Sequence, residues 1–219
     1  YQACADVNCT QPRPITVRPT VGRHPDGGVM VYFGTGKYFE DGDNVVDSST
    51  QVDAFYGIRD NGSRVTSRTN LAEQTILLEA TAAAANTQFD IRAISNNPVD
   101  YASKSGWFID LVSPVNGIEG ERVISQAVLR NGRIIFTSVI PSQDECDFGG
   151  NSWLMELDAV TGGRLSYSVF DANGDGIIDD NDFVTLPDGS KVPVSGRGMD
   201  GIGKTPGIIS AGEVEYKYT

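Results

Sequence analysis

Residues 171–182 read DANGDGIIDDND, and oxygen-bearing side chains stand at loop positions 1, 3, 5, 9 and 12: Asp171, Asn173, Asp175, Asp179 and Asp182. Gly176 occupies position 6, where the chain must turn sharply, and Ile177 at position 7 offers its backbone carbonyl. A hard cation such as calcium takes about six to eight oxygens at about 2.3–2.6 Å, and this is the ligand rhythm that supplies them. Spacing by two brings alternate side chains to one concave side, and glycine enters the left-handed turn without steric cost. Asp, Asn and Gly also favour plain surface turns. Converging carboxylates repel one another, however, so a turn has no use for four of them unless a cation is present. The expected metal ligands are therefore Asp171, Asn173, Asp175, the carbonyl of Ile177, Asp179 and Asp182, with Ca2+ as the cofactor. Four crowded carboxylates without metal predict an expanded, mobile loop. Replacing Asp171 is expected to abolish binding, and replacing Asp182 only to weaken it.

The residues after the loop decide what kind of calcium site this is. A paired EF-hand needs a helix running on from position 9, but DFVTLPDGSKVPVSG follows, with Pro187, Asp188-Gly189 and Pro193. These stop a helix within a turn or two. There is no second loop of this kind in the sequence. The expectation is a single calcium staple in a loop of a β-structure, not a switching helix pair.

Other chemistry is thinly represented. The sole histidine, His24, lies in RHPDGG, which reads as a turn. There is no CxxC and no Cys/His cluster, which argues against zinc. With 29 acids some carboxylate pair is inevitable, and none is singled out for glycoside hydrolysis. The chain is read as no enzyme. FEDGDNVVD (39–47) scatters acids that could hold a second cation, but at irregular spacing. Lys37, Arg59, Arg122, Arg130 and Arg133 are expected to balance neighbouring acids at strand ends. Trp107 and Trp153 are expected in the core, not on a sugar-stacking surface. Cys4 and Cys9 enclose four residues and could pair in an oxidising compartment. Cys146 is then odd, with an outside partner, a rearranged pairing or a free thiol all open.

The net charge of −12 over 219 residues opposes nucleic acid and anionic membranes as partners. No run of 18 apolar residues exists, so no membrane span is expected. Residues 1–20 lack a signal-peptide pattern and the chain starts at Tyr1 without an initiator Met. Two readings follow: a cytosolic chain, or a fragment whose leader lies upstream. The length suits one domain, taken as 1–219.

The elements that must hold the loop read as strands. Three segments resemble one another: DAFYGIRDNGSRV (53–65), KSGWFIDLVSPVNGIEGERV (104–123) and NSWLMELDAVTGGRL (151–165). Each sets an aromatic (Phe55, Trp107, Trp153) before an apolar strand, an Asp, a Gly-bearing turn and an Arg restart. Asn131-Gly132 between two β-branched runs is a hairpin signal. Self-similarity near a period of 50 is what propeller blades produce; a β-sandwich is the alternative. One segment resists. TNLAEQTILLEATAAAANTQ (69–88) has Asn70 as N-cap, Glu73 at the capping-box spacing and an Ala-rich body, and leans to helix. Read with period 2, Ile76, Leu78 and Ala80 share a face.

Five blocks together, VYFGTGKYFEDGDN, QVDAFYGIRDNG, SNNPVDYASKSGWFIDL, GERVISQAVLRNGRIIFTSVIPSQDEC and GGNSWLMELDAVTGGRL, closely resemble the C-terminal domain of the PilY family. These are type IV pilus biogenesis factors and tip adhesins of Gram-negative bacteria. The resemblance covers roughly residues 12–219. It implies an all-β fold, part of a modified seven-bladed β-propeller that resembles quinoprotein dehydrogenases, with strands rather than helix over 71–95. It implies a secreted protein at the cell surface or pilus tip, associated with the outer membrane. Minor pilins or pilus tip proteins, and a host or abiotic surface, are its implied partners. It further implies that calcium occupancy regulates pilus extension and retraction, and so twitching motility and adhesion. The family's ligands at loop positions 1, 3, 5, 7 and 9 fall on Asp171, Asn173, Asp175, Ile177 and Asp179; Asp182 comes from the general loop rule alone. The alternatives are a calcium-stapled carbohydrate-binding or adhesive propeller and a quinoprotein-like enzyme. The latter would carry adjacent cysteines against its cofactor, and this sequence has no Cys-Cys pair.

Overall fold

A computed structural model describes residues 12–47, 49–84, 87–144, 149–212 and 214–219. The strands are β1 (Thr20–Arg23), β2 (Val29–Gly34), β3 (Ala54–Asp60), β4 (Ala72–Gln74), β5 (Ile76–Ala84), β6 (Thr87–Ile94), β7 (Gly106–Asp110), β8 (Val128–Arg130), β9 (Arg133–Pro141), β10 (Gly150–Asp158), β11 (Phe183–Thr185), β12 (Lys191–Pro193), β13 (Gly196–Asp200), β14 (Gly207–Ala211) and β15 (Val214–Tyr218). They form a five-stranded sheet, β1-β2-β3-β7-β4, and a six-stranded sheet, β5-β6-β13-β10-β9-β8, with β11–β12 and β14–β15 as separate two-stranded ribbons. Only the β4–β7 pairing among these is parallel. The all-β class expected from the sequence is what forms.

The two sheets pack face to face, and period-2 alternation explains how. In β3, Phe55 points into the shared core while Tyr56 and Ile58 point to the outer face. In β10, Trp153 and Met155 point in while Leu154 points out. Phe55 and Phe136 stack across the interface with centroids 3.9 Å apart. Because both faces are covered, the central strands read as nearly continuous apolar runs. Trp107 is fully buried, and its Nε1–H donates to the Ala159 carbonyl. Two glycines clasp its ring: a Cβ on Gly57 or Gly162 would lie 2.4 or 2.2 Å from it. Both tryptophans thus belong to the core, as expected.

The repeat reading needs a correction. Phe55 and Trp107 do not mark successive sheets; β3 and β7 are neighbours in one sheet, with Gly57 opposite Trp107. The shared grammar of aromatic, apolar run, Asp and Gly turn describes a central strand buried on both faces, and a sheet can hold two of those.

Of the two readings left open over 69–88, the described residues take the strands that the family resemblance implies, not the helix that local signals favour. Ser67 caps only a 3₁₀ turn at Arg68–Asn70, and the chain then runs extended through β4 and β5. Tertiary demand overrides a weak propensity. Gln74 is fully buried, donating to the carbonyls of Asn97 and Thr161 and accepting from the Ser95 hydroxyl. β6 offers β5 a ladder from Ile76–Ile94 to Ala84–Thr87, which a helix would forfeit. Asn131 (φ 49°) and Gly132 (φ 76°) make the predicted two-residue hairpin between β8 and β9.

Candidate metal centre

The loop 171–182 is held at both ends on the outer face of the six-stranded sheet. At its start, Val169, Phe170 and the loop's own Ala172 are buried in one cluster with Ile135, Leu154 and Val194. After it, β11 pairs with β12, and Leu186 and Val192 pack on Ala93. The flanks are buried, and the loop itself is exposed at Asp175, Gly176, Ile177, Ile178 and Asp179.

Within the loop the predicted side-chain ligands turn oxygens onto nearby amides. Asp171 Oδ1 and Oδ2 accept from the N–H groups of Gly174 and Gly176 at 2.6 and 3.0 Å. Asn173 Oδ1 accepts from Asp175 N–H, and Asp175 Oδ1 from Ile177 N–H, both at 2.8 Å. Asp179 Oδ1 accepts from Asn181 N–H at 2.7 Å. Gly174 (φ 74°) and Gly176 (φ 84°) supply the left-handed residues that this successive winding requires. A Cβ on Gly176 would meet nothing, so the demand there is backbone conformation alone.

Asp182 is placed differently. It is 1% exposed, and its carboxylate gathers three backbone N–H groups: Ala172 (2.7 Å) and Asn173 (3.2 Å) on Oδ1, and Asp179 (2.8 Å) on Oδ2. Asp179 in turn caps the 3₁₀ turn Asp180–Asp182, completing a reciprocal capping box.

The donor chemistry fits calcium. Asp171, Asn173, Asp175 and Asp179 are hard oxygen donors, and none of the loop carboxylates pairs with Lys or Arg among the described residues. The geometry here is that of a wound loop: no three Asp, Glu, His or Cys side chains among the described residues are gathered as a ready-made metal cluster.

The other candidates resolve as ordinary structure. In 39–47, Asp43 accepts from the N–H groups of Phe39 and Glu40 and pairs with Lys37, while Asp47 accepts from Ser49. A cation of the protein's own, Lys37, already sits on the central acid. His24 is buried in its turn, Nδ1 accepting from Asp26 N–H, with its ring against Tyr101. Arg130 and Arg133 do balance acids, pairing with Glu215, and Arg133 also with Glu156. Arg59 and Arg122 make no ion pair among the described residues and donate to backbone carbonyls, Arg59 to Asp26 and Gly27, Arg122 to Lys37, Asp43 and Gly120, while the Arg122 charge still favours the ionised Asp43 and Asp53 nearby. Carbonyls at turns compete well for a planar donor fork. Cys4, Cys9 and Cys146 lie outside the described residues.

One charged centre escaped the sequence reading. Arg92 in β6 has no exposed side-chain area, and its guanidinium forks onto both oxygens of Glu121 at 2.8 and 2.9 Å. It also reaches Glu79 at 2.6 Å and lies 4.1 Å from the Trp153 ring. Ser113 and Ser138 donate to Glu79 and Glu121. Burial opposes the guanidinium charge, but Glu121 and then Glu79 outweigh it and hold Arg92 above its ordinary pKa. The available signal was an arginine in the middle of the alternating strand FDIRAIS.

Comparison with known proteins gives a consistent result. Residues 1–89 match the family model described as the PilY1 beta-propeller domain. Type IV pilus biogenesis factor PilY1 of Pseudomonas aeruginosa is 35% identical over 225 residues, covering 91% of this chain and 19% of that protein. A PilY1 homolog of Xylella fastidiosa is 38% identical over 153 residues, covering 69% of this chain and 10% of its own length. The crystal structure of the P. aeruginosa PilY1 C-terminal domain superposes with a TM-score of 0.83 at 28% identity, over 99% of this chain and 45% of that one. The chain therefore spans about a fifth or less of the curated relatives it matches.

Proposed function

We infer the role of this chain from the family to which it belongs, the PilY1 type IV pilus biogenesis factors, whose C-terminal domain it matches in fold. We propose that it serves pilus biogenesis as part of a β-propeller that binds calcium at residues 171–182. Ca2+ occupancy then regulates pilus extension and retraction, and with them twitching motility and surface adhesion. Minor pilins or other pilus tip proteins are the proposed partners, at the bacterial surface or beyond it. Among the described residues no helix is long and apolar enough to cross a membrane.

The observation that carries the reading is the succession of hard oxygen donors Asp171, Asn173, Asp175 and Asp179, none paired with Lys or Arg among the described residues, in a loop anchored on the outer face of the six-stranded sheet. Bound calcium supplies positive charge that offsets the repulsion among Asp171, Asp175 and Asp179. The chain's own residues do the rest. Asp171 and Asn173 enter from the buried end, Asp175 and the Ile177 carbonyl from the tip, and Asp179 from the return. Ile177 and Ile178 are 60% and 45% exposed, so an ordered loop presents two apolar side chains beside its charges. The proposed role is binding and structural, without catalysis. The sole histidine is committed to a turn and both tryptophans to the core, which leaves no sugar platform on them.

Calorimetric titration with calcium tests the site. The wild type is expected to bind with a Kd between about 10⁻⁷ and 10⁻³ M, and Asp171→Asn to give no binding heat. Equal heats from the two proteins would defeat the assignment. In a piliated strain, Asp171→Asn is expected to change surface piliation and twitching; wild-type values for both would defeat the regulatory role.

A further inference from the structure

We propose that Asp182 is a positioning residue that closes the loop as a protein-made clasp, and that it is not a calcium ligand. Its carboxylate is nearly inaccessible and takes three backbone N–H bonds. Those donors come from loop positions 2, 3 and 9 (Ala172, Asn173 and Asp179), so one side chain ties the entry of the ring to its return. Bonds from amides to a carboxylate are charge-assisted and short, among the stronger hydrogen bonds a protein makes. The side chain at position 12 of a switching EF-hand instead closes on the ion. Here the span from Asp171 to Asp179 is set before any ion is considered, so the loop keeps its ring without metal instead of expanding. The other four side chains accept from amides within five residues of themselves and wind local turns; only Asp182 joins residues about ten apart. Asp182 thus positions, while Asp171 and Asn173 stay half-buried and Asp175 and Asp179 are exposed.

The proposal rests on the calcium reading only for its affinity arm, and the experiment separates the two. Hydrogen exchange resolved to single amides is followed in EDTA for wild type, Asp171→Asn, Asp182→Asn and the milder Asp182→Glu. Asp182→Asn is expected to speed exchange at Ala172, Asn173 and Asp179 at least tenfold, while Asp171→Asn leaves those three unchanged. Amides of the β9–β10 ladder serve as the internal control for an intact fold. If Asp182→Asn loosens that ladder as well, the same three amides are read in Asp182→Glu, where faster exchange supports the clasp. Wild-type exchange at all three amides in a folded Asp182 variant overturns it. In the calcium titration, Asp182→Asn is expected to bind at least tenfold more weakly yet still bind. Complete loss of binding with unchanged exchange would make Asp182 a ligand and overturn the clasp. If the wild type itself binds no calcium, the functional reading fails, and the EDTA exchange still decides the clasp.

Discussion

Arg92→Met should be among the most damaging single changes in this chain, and the structure permits its size to be worked out. The guanidinium neutralises two carboxylates: Glu121, whose side chain is 1% exposed, and Glu79, at 10%. At an effective dielectric near 20, one contact at about 4 Å is worth about 4 kcal/mol of attraction, much of it offset by desolvation of the ions. Methionine fills similar space along the stem but leaves two acids buried with only Ser113 and Ser138 as partners. Removing one member of such a network costs about 3–5 kcal/mol, because the charge left behind has no compensation. For a chain of this length that is a fall in Tm of roughly 6–20 °C. The cation–π contact to Trp153 at 4.1 Å is lost as well.

Calorimetry and urea unfolding of four proteins test the reasoning: wild type, Arg92→Met, Glu79→Gln/Glu121→Gln and the triple combination. If uncompensated charge is the cause, the triple variant recovers more than half of the loss seen in Arg92→Met. A loss below about 1 kcal/mol in Arg92→Met, or a triple variant no better than the single, would refute it.

Three further changes probe packing, backbone conformation and charge. Gly162→Ala drives a Cβ to 2.2 Å from the Trp107 ring at a φ of +69°, so overpacking and backbone strain together should cost about 2–4 kcal/mol. Gly132→Ala, at φ +76° with nothing within 4 Å, should cost only about 1 kcal/mol; equal losses in urea unfolding would remove the steric account. Glu119→Gln should raise stability at neutral pH. Burial raises the Glu119 pKa above 4.5, its hydrogen bond from Asn116 partly opposes this, and Glu79 and Glu121 add to the rise. A carboxyl whose folded pKa is raised destabilises the fold above that pKa and ceases to do so below the unfolded value. The gain should therefore be present at pH 7, on the order of 1 °C in Tm after solvent screening, and absent near pH 4. A gain independent of pH would place its origin elsewhere.

What could be read in the sequence divides along the range of the interactions. Period-2 alternation, the Asn131-Gly132 turn and the calcium-loop spacing are local, and each is visible within about a dozen residues. Segment 69–88 could not be decided from its own residues for the opposite reason. Its helix signals are local, while what decides it is a ladder to β6, a buried Gln74 bonded to Asn97 and Thr161, and Glu79 bonded to Arg92. No window around Glu79 reveals that an arginine thirteen residues on will need it. The repeats pointed to the right class but not to the blade boundaries, because central strands in one sheet share a composition, and composition does not say which sheet a strand joins.

The loop shows the same division within twelve residues. The spacing rule names Asp182 as a metal ligand, but gives no hint that its lone pairs accept from backbone N–H groups. That depends on Val169, Phe170 and Ala172 anchoring one end and β11 the other, so that position 12 lands under positions 2 and 3. Burial then separates two kinds of acid in one motif. A carboxylate at 1% exposure ringed by amides is committed to the fold, while Asp175 and Asp179 remain open to solvent and to whatever cation the surroundings offer. In the proposed site, the clasp beneath the loop's other oxygen donors sets their separation in advance. Calcium affinity should then depend on the clasp even though the clasp never touches the ion.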